Sequence, residues 1–244
     1  MKKKILITGA TSGIGLSFVK KNIHKKYEFY FIGRNFLEIN KFIKINKIKN
    51  KIKLINFDFK NDLKNFNFKK IPKLDYIVLA AGMSKHNLIK DFNEKFFDEI
   101  IHINLIQTAK FIALLVKNNK INNKASIVTI SSISGTSTAY YFHYAYSIAK
   151  AGLIAMTKSL ALELSKKLIR VNAIAPGMVN TALISNLGLN QGHLSNIDKA
   201  KYPLGKRYAH PNEIADLINF LLSSKSSFIT GQTIVIDGGF TLSK

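Results

Sequence analysis

Tyr146 and Lys150 stand four residues apart in the run Tyr-Ser-Ile-Ala-Lys. On a helix that spacing puts both side chains on one face. A free phenol titrates at about pH 10, too high for proton transfer near neutrality, and a neighbouring ammonium favours the phenolate. The pair therefore predicts a general acid for carbonyl reduction, or a base for alcohol oxidation, with Lys150 drawing the Tyr146 pKa down. The plainer reading is a pair on a helix surface. Upstream, Ile130-Ser131-Ser132-Ile133-Ser134-Gly135 gathers hydroxyls that can donate to a substrate oxygen as negative charge builds on it. Near the N-terminus, Thr8-Gly9-Ala10-Thr11-Ser12-Gly13-Ile14-Gly15 lies between an apolar run and a helical pattern. Such a turn suits a phosphate group, because the first N–H groups of a helix are unpaired, its dipole favours an anion, and glycines allow close approach. The competing reading there is an ordinary tight strand-to-helix turn.

These groups need a scaffold that brings them together. Short apolar runs at Lys4–Thr8, Phe29–Ile32, Ile52–Phe57, Tyr76–Ala80, Ser126–Ile130, Val171–Ala175 and Thr233–Ile236 read as strands. Helical periodicity runs from Ile14 to about Lys25, through Phe36, Ile39 and Ile43, from Phe96 to about Lys117, and over Tyr146–Lys166 and Pro211–Ser223. Strand alternating with helix implies a parallel sheet covered on both faces. In such a sheet the site forms beyond the carboxyl ends of the strands, where the glycine turn and Ser132 fall. No repeat, linker or composition shift divides the chain, so residues 1–244 read as one domain. Leu183–Lys206 is weakly periodic and contains Gly, Asn and Ser, and is expected to form a substrate lid.

The order of Thr8-Gly9-x3-Gly13-x-Gly15, Ser132, Tyr146-x3-Lys150-Ala151-Gly152, Pro176-Gly177 and Asp237-Gly238-Gly239 resembles the short-chain dehydrogenase/reductase family, from Lys4 to Gly239. The resemblance implies an α/β, single-domain Rossmann fold with a seven-stranded parallel sheet, helices on both faces and a nicotinamide cofactor. It implies a catalytic set of Asn104, Ser132, Tyr146 and Lys150. In that set Lys150 also holds the nicotinamide ribose, and the Asn104 backbone anchors a water linking Lys150 to solvent. It further implies cofactor contacts at Thr8, Gly9, Thr11, Ser12, Gly13, Ile14 and Gly15 in the glycine turn, and at Asp58 against the adenine. Ala81 and Gly82 follow the fourth strand, and Pro176, Gly177, Val179 and Thr181 cradle the nicotinamide with Tyr146 and Lys150. Leu79-Ala80-Ala81-Gly82 matches the family's Asn-Asn-Ala-Gly only in its last two residues, and the short interval from Asp58 to Leu74 predicts a trimmed helix. Tyr141, His143 and Tyr144 read as pocket wall. After the second strand comes Ile32-Gly33-Arg34-Asn35. No carboxylate is there to bind a ribose 2′-hydroxyl, whereas Arg34 can fork onto a 2′-phosphate, so the expected cofactor is NADP(H).

Composition narrows the function classes. The chain has 244 residues, a formal charge of +23 and no cysteine, which excludes a disulfide scaffold and any thiolate nucleophile or thiolate metal site. The scattered histidines form no cluster with acidic residues, so no metal is expected. No uninterrupted apolar run approaches the ~18 residues of a membrane span, and a cytoplasmic protein is expected. With 34 Lys, 34 Ile and 23 Asn, the basicity reads as a lysine-rich solvated surface rather than a nucleic-acid face. The whole-chain pattern is similar to 3-oxoacyl-[acyl-carrier-protein] reductases. A small-molecule or carrier-bound carbonyl substrate is thus expected, an acidic carrier suiting Lys120, Lys124, Lys166 and Lys167. Reduction of a keto-sugar in surface-glycan precursor synthesis is the alternative, and a non-catalytic cofactor-binding or nucleic-acid-binding protein the lesser one. The family resemblance also implies a homo-oligomer, a tetramer.

Overall fold

Runs of Ile, Leu, Val and Phe form the strands where their pattern places them. The structure, a computed structural model, describes residues 2–136, 138–181 and 198–242. In chain order the elements are β1 (Lys3–Thr8), α1 (Gly13–Asn22), β2 (Tyr27–Gly33), α2 (Leu37–Ile45), β3 (Ile52–Asn56) and β4 (Leu74–Leu79). They continue as α3 (Glu94–Ile101), α4 (Gln107–Lys117), β5 (Ile121–Ile130), α5 (Tyr144–Glu163), β6 (Arg170–Pro176), α6 (Pro211–Leu222) and β7 (Thr233–Ile236). The strands form one sheet in the order β3-β2-β1-β4-β5-β6-β7, every pairing parallel. Strand order reverses between β1 and β4, and ligands of open α/β sheets bind in the crevice at that point.

Helices on both faces explain the continuous apolar strands. Ile5, Leu6 and Ile7 are all inaccessible although successive side chains point to opposite faces. Ile5 and Ile7 join Phe18, Ile214 and Ile218 of α1 and α6 in one core layer, and Leu6 joins Phe111, Leu115 and Ala161 of α4 and α5 in the other. Glu94–Lys117 is the one helical stretch among the described residues long and apolar enough to cross a membrane. It is a core element here, with Ile100, Asn104, Phe111 and Leu115 inaccessible.

Three sequence expectations change in detail. The helix expected from Phe96 to Lys117 is not one α-helix, because a π-helical turn over His102–Ile106 separates α3 from α4. The trimmed helix between β3 and β4 is reduced to two single 3-10 turns, Leu63–Asn65 and Phe68–Lys70. Most of the expected lid, residues 183–197 of Leu183–Lys206, lies outside the described residues.

Candidate active site

A cavity of about 390 Å³ opens at the carboxyl ends of β1, β4, β5 and β6. Asn104, Ser132, Tyr146 and Lys150 all line it, although they come from three separate parts of the chain. Tyr146 and Lys150 project from the first two turns of α5, the spacing the sequence predicts. The Ser132 hydroxyl lies within hydrogen-bonding reach of the Tyr146 phenol and also accepts the Ser134 N–H at 3.1 Å, which holds it at the strand end. Lys150 Nζ donates to the Ile130 carbonyl at 2.9 Å and stands 5.3 Å from the centre of the Tyr146 ring. Ser131 Oγ donates to the Lys150 carbonyl at 2.8 Å, tying the end of β5 to α5.

The expected lowering of the Tyr146 pKa is not what this geometry produces. Burial pushes the phenol up to about 12, with only the Ser132 hydrogen bond pulling the other way. Burial also brings Lys150 down to about 8. Its ammonium gives one hydrogen bond to a backbone carbonyl, and desolvation disfavours the charged forms of both groups. At neutral pH Tyr146 therefore holds its proton, the state a general acid needs.

Asn104 sits in the middle of the π-helical turn with no exposure. Its Nδ2 donates to the carbonyls of Ile100 at 2.9 Å and Met83 at 3.0 Å, and its Oδ1 accepts the Met83 N–H at 3.1 Å. The amide thus acts as a backbone partner for the segment leaving β4. Gly82 passes so close that a Cβ there would lie 2.7 Å from Asn104 Oδ1 and 3.5 Å from Lys150 Nζ. The Asn104 carbonyl accepts the Thr108 hydroxyl at 3.2 Å, and a carbonyl has a second lone pair to offer.

The glycine turn fits a dinucleotide. Ser12 precedes α1 in extended backbone, and its side chain makes no cap. The first N–H groups of the helix are left for an anion, beside Ser12, Gly13 and Ile14 on the cavity wall. Gly9 has φ +64°, and a Cβ would stand 2.6 Å from the Ala80 carbonyl oxygen, so the turn lies flush on the β4 segment. Across the crevice, Pro176, Gly177, Val179 and Thr181 line the cavity, and Thr181 approaches Gly13. The Val179↔Ala209 bridge uses the Met178 carbonyl and Asn180 N–H, leaving the Val179 backbone groups out of it.

Residues of the glycine turn also hold the neighbouring segments in place. Thr8 is buried, and its hydroxyl accepts the N–H groups of Ala80 and Ala81, each at 3.1 Å, so it positions that segment. Gly82, two residues beyond Ala80, lines the cavity. The Thr11 methyl faces Gly33 so closely that a Cβ at Gly33 would lie 2.5 Å from it. Arg34 does reach the cavity, and its Nη1 pairs with Asp58 Oδ2 at 3.8 Å. Asp58 also accepts the Lys60 N–H at 3.0 Å, which gives it a turn-capping role. The wall further includes Met83, Ser84, Tyr140 and Met178, which no spacing rule singles out, and His143. Among the described residues no group of three His, Cys, Asp or Glu side chains could hold a metal.

Comparison with known proteins places this geometry. Residues 9–241 match the family model described as Enoyl-(Acyl carrier protein) reductase. The 3-oxoacyl-[acyl-carrier-protein] reductase of Rickettsia felis is 34% identical over 241 residues, covering 98% of this chain and 97% of its own. A short-chain dehydrogenase family protein from Francisella tularensis superposes with a TM-score of 0.85 at 31% identity, over 99% of this chain and 100% of the other. The 3-oxoacyl-[acyl-carrier protein] reductase from Brucella melitensis in complex with NAD gives a TM-score of 0.86 at 25% identity, over 100% and 99% of the two chains. ElxO with NADP bound gives 0.83 at 26% identity, over 99% and 100%.

Proposed function

The chain belongs to the short-chain dehydrogenase/reductase family, and from that premise we propose that it uses NADPH to reduce a carbonyl to an alcohol, its substrate being a 3-oxoacyl thioester on an acyl-carrier protein. The observation that carries this reading is the meeting of Ser132 and Tyr146 as two hydroxyl donors beside Lys150 in one cavity. Two donors aimed at one point suit a carbonyl oxygen better than a bare carbon–carbon double bond. When bound, the reduced nicotinamide supplies the hydride that the carbonyl carbon takes up. Ser132 orients and polarises the carbonyl. Tyr146 gives its phenolic proton to the oxygen as negative charge builds there, which balances the hydride with one proton. The Lys150 ammonium faces the resulting phenolate and returns a proton to it, and the Asn104 carbonyl offers a resting place for the water that reloads Lys150.

Arg34 supports the choice of NADPH, since it lines the cavity at the end of β2, where no carboxylate stands to bind a ribose 2′-hydroxyl. The similarity to 3-oxoacyl-[acyl-carrier-protein] reductases supports the substrate class. We read the protein further as a cytoplasmic homotetramer. The test is loss of reduced-nicotinamide absorbance with an acetoacetyl thioester, using NADPH beside NADH. NADPH-dependent turnover is expected. No turnover while NADPH still binds would transfer the reading to keto-sugar substrates, and equal use of NADH would overturn the role given to Arg34.

A further inference from the structure

The mechanism leaves one wall of the cavity unused. His143 is the residue before the first turn of α5, and its ring centre lies 5.5 Å from that of Tyr146. Its Nε2 hydrogen-bonds to Nε2 of His86, on the segment after β4, with the ring centres 4.2 Å apart. The same two segments are joined by the Asn87 N–H donating to the Phe142 carbonyl at 3.0 Å, which fixes Phe142 in a left-handed conformation with φ +67°. On the other side of the ring, His143 Nδ1 is buried without a hydrogen-bond partner among the described residues. A buried polar atom without a partner is costly unless a ligand or water satisfies it.

We propose that His143 is a substrate-binding residue whose Nδ1–H donates to the second, non-reacting oxygen of a 1,3-dicarbonyl substrate, and that His86 is the positioning residue that sets its tautomer. The proposal rests on the 3-oxoacyl reading above. Ser132 and Tyr146 take the oxygen that is reduced, so the thioester oxygen needs a separate donor on the same side of the cavity. A neutral imidazole carries one N–H. If His86 donates through Nε2, His143 must accept at Nε2 and hold its proton on Nδ1, where a carbonyl can use it. Neutrality is supported by burial, which brings His143 down to about 4 and lowers His86 as well. A simple ketone has no second oxygen and gains nothing from this donor.

The experiment compares kcat/KM for acetoacetyl-coenzyme A with that for trifluoroacetophenone, an activated ketone lacking a second carbonyl, in the wild type, His143→Leu, His143→Gln and His86→Ala. Where the ketone is not turned over, its inhibition constant replaces its kcat/KM. NADPH binding by fluorescence controls for folding. The ratio of the two values is expected to fall about tenfold in His143→Leu, the size of one hydrogen bond to a buried group. It recovers in His143→Gln, whose amide also donates, and falls partway in His86→Ala. An unchanged ratio in His143→Leu, whether both activities drop together or neither does, would overturn the proposal. A wild type that reduces trifluoroacetophenone but not acetoacetyl-coenzyme A would instead defeat the 3-oxoacyl reading on which it rests.

Discussion

At the scale of single residues, the site separates what a side chain is from what its surroundings make of it. Tyr146 holds its proton at neutral pH in this setting, since burial pushes the phenol up to about 12, and Ser132 lies beside its oxygen. Tyr146→Phe keeps the ring and removes only the proton, so turnover is expected to fall by about 10²–10⁴ while NADPH binding persists. Loss of only a few-fold would mean that another group protonates the product. Arg34 is exposed for 70% of its side chain and pairs with Asp58 only at 3.8 Å, so it is available to a phosphate. Arg34→Ala is expected to raise the KM for NADPH about tenfold or more and to leave that for NADH nearly unchanged, because a charge-assisted fork is lost only where a 2′-phosphate is present. Steady-state kinetics with each cofactor decides this. That Ser132, Tyr146 and Lys150 meet in one cavity was legible from motif and order. The direction of the Tyr146 shift was not, because charge proximity can be guessed from a four-residue spacing but desolvation depends on which distant segments cover the ring.

At the scale of elements, the strands and most helices follow from apolar periodicity, whereas the features that aim the site depend on contacts between segments. The π-helical turn at His102–Ile106 has no compositional signature. It occurs where Asn104 turns inward to serve as partner to Met83, a residue twenty-one positions away. Thr8 shows the same limit, since its place in the glycine motif says nothing of the Ala80–Ala81 segment that its hydroxyl holds. Gly82 tests the coupling. In Gly82→Ala the new methyl would meet Asn104 Oδ1 at 2.7 Å and press toward Lys150 Nζ at 3.5 Å. The neighbour cannot yield without breaking the Asn104–Met83 clamp, so kcat is expected to drop at least about tenfold with the fold retained by circular dichroism. A second element carries a pH signature. At the start of α6, Glu213 accepts two hydrogen bonds from Arg207 and one from the His210 N–H, and these bring its carboxyl down to about 2. A depressed folded-state pKa stabilises the protein above the unfolded value of about 4.3, and that contribution is lost as pH falls through 2. With both side chains about two-fifths exposed, solvent screening keeps the effect small. Between those two pH values Tm is expected to fall more in the wild type than in Glu213→Gln, and parallel melting curves would remove this cap from the account of acid stability.

At the scale of the molecule, the sheet order makes one crevice, and the charge acts on everything that approaches it. A net charge of +23 over 244 residues produces a field that no single ion pair offsets, and it reaches as far as salt allows. If the substrate is delivered on an acidic carrier, that field should speed encounter rather than tighten the final complex. The Debye length falls from about 10 Å at 0.1 M to about 3 Å at 1 M salt, so the advantage should disappear over that range. The kcat/KM for a carrier-bound acetoacetyl thioester is therefore expected to fall about tenfold or more, mainly through KM, while a short uncharged acetoacetyl thioester changes little beyond the salt effect on NADPH. Equal salt dependence of the two substrates would place the long-range attraction at the cofactor alone. The lysines would then be a solvated coat that keeps the molecule dispersed, with no part in recognising what carries the carbonyl to Tyr146.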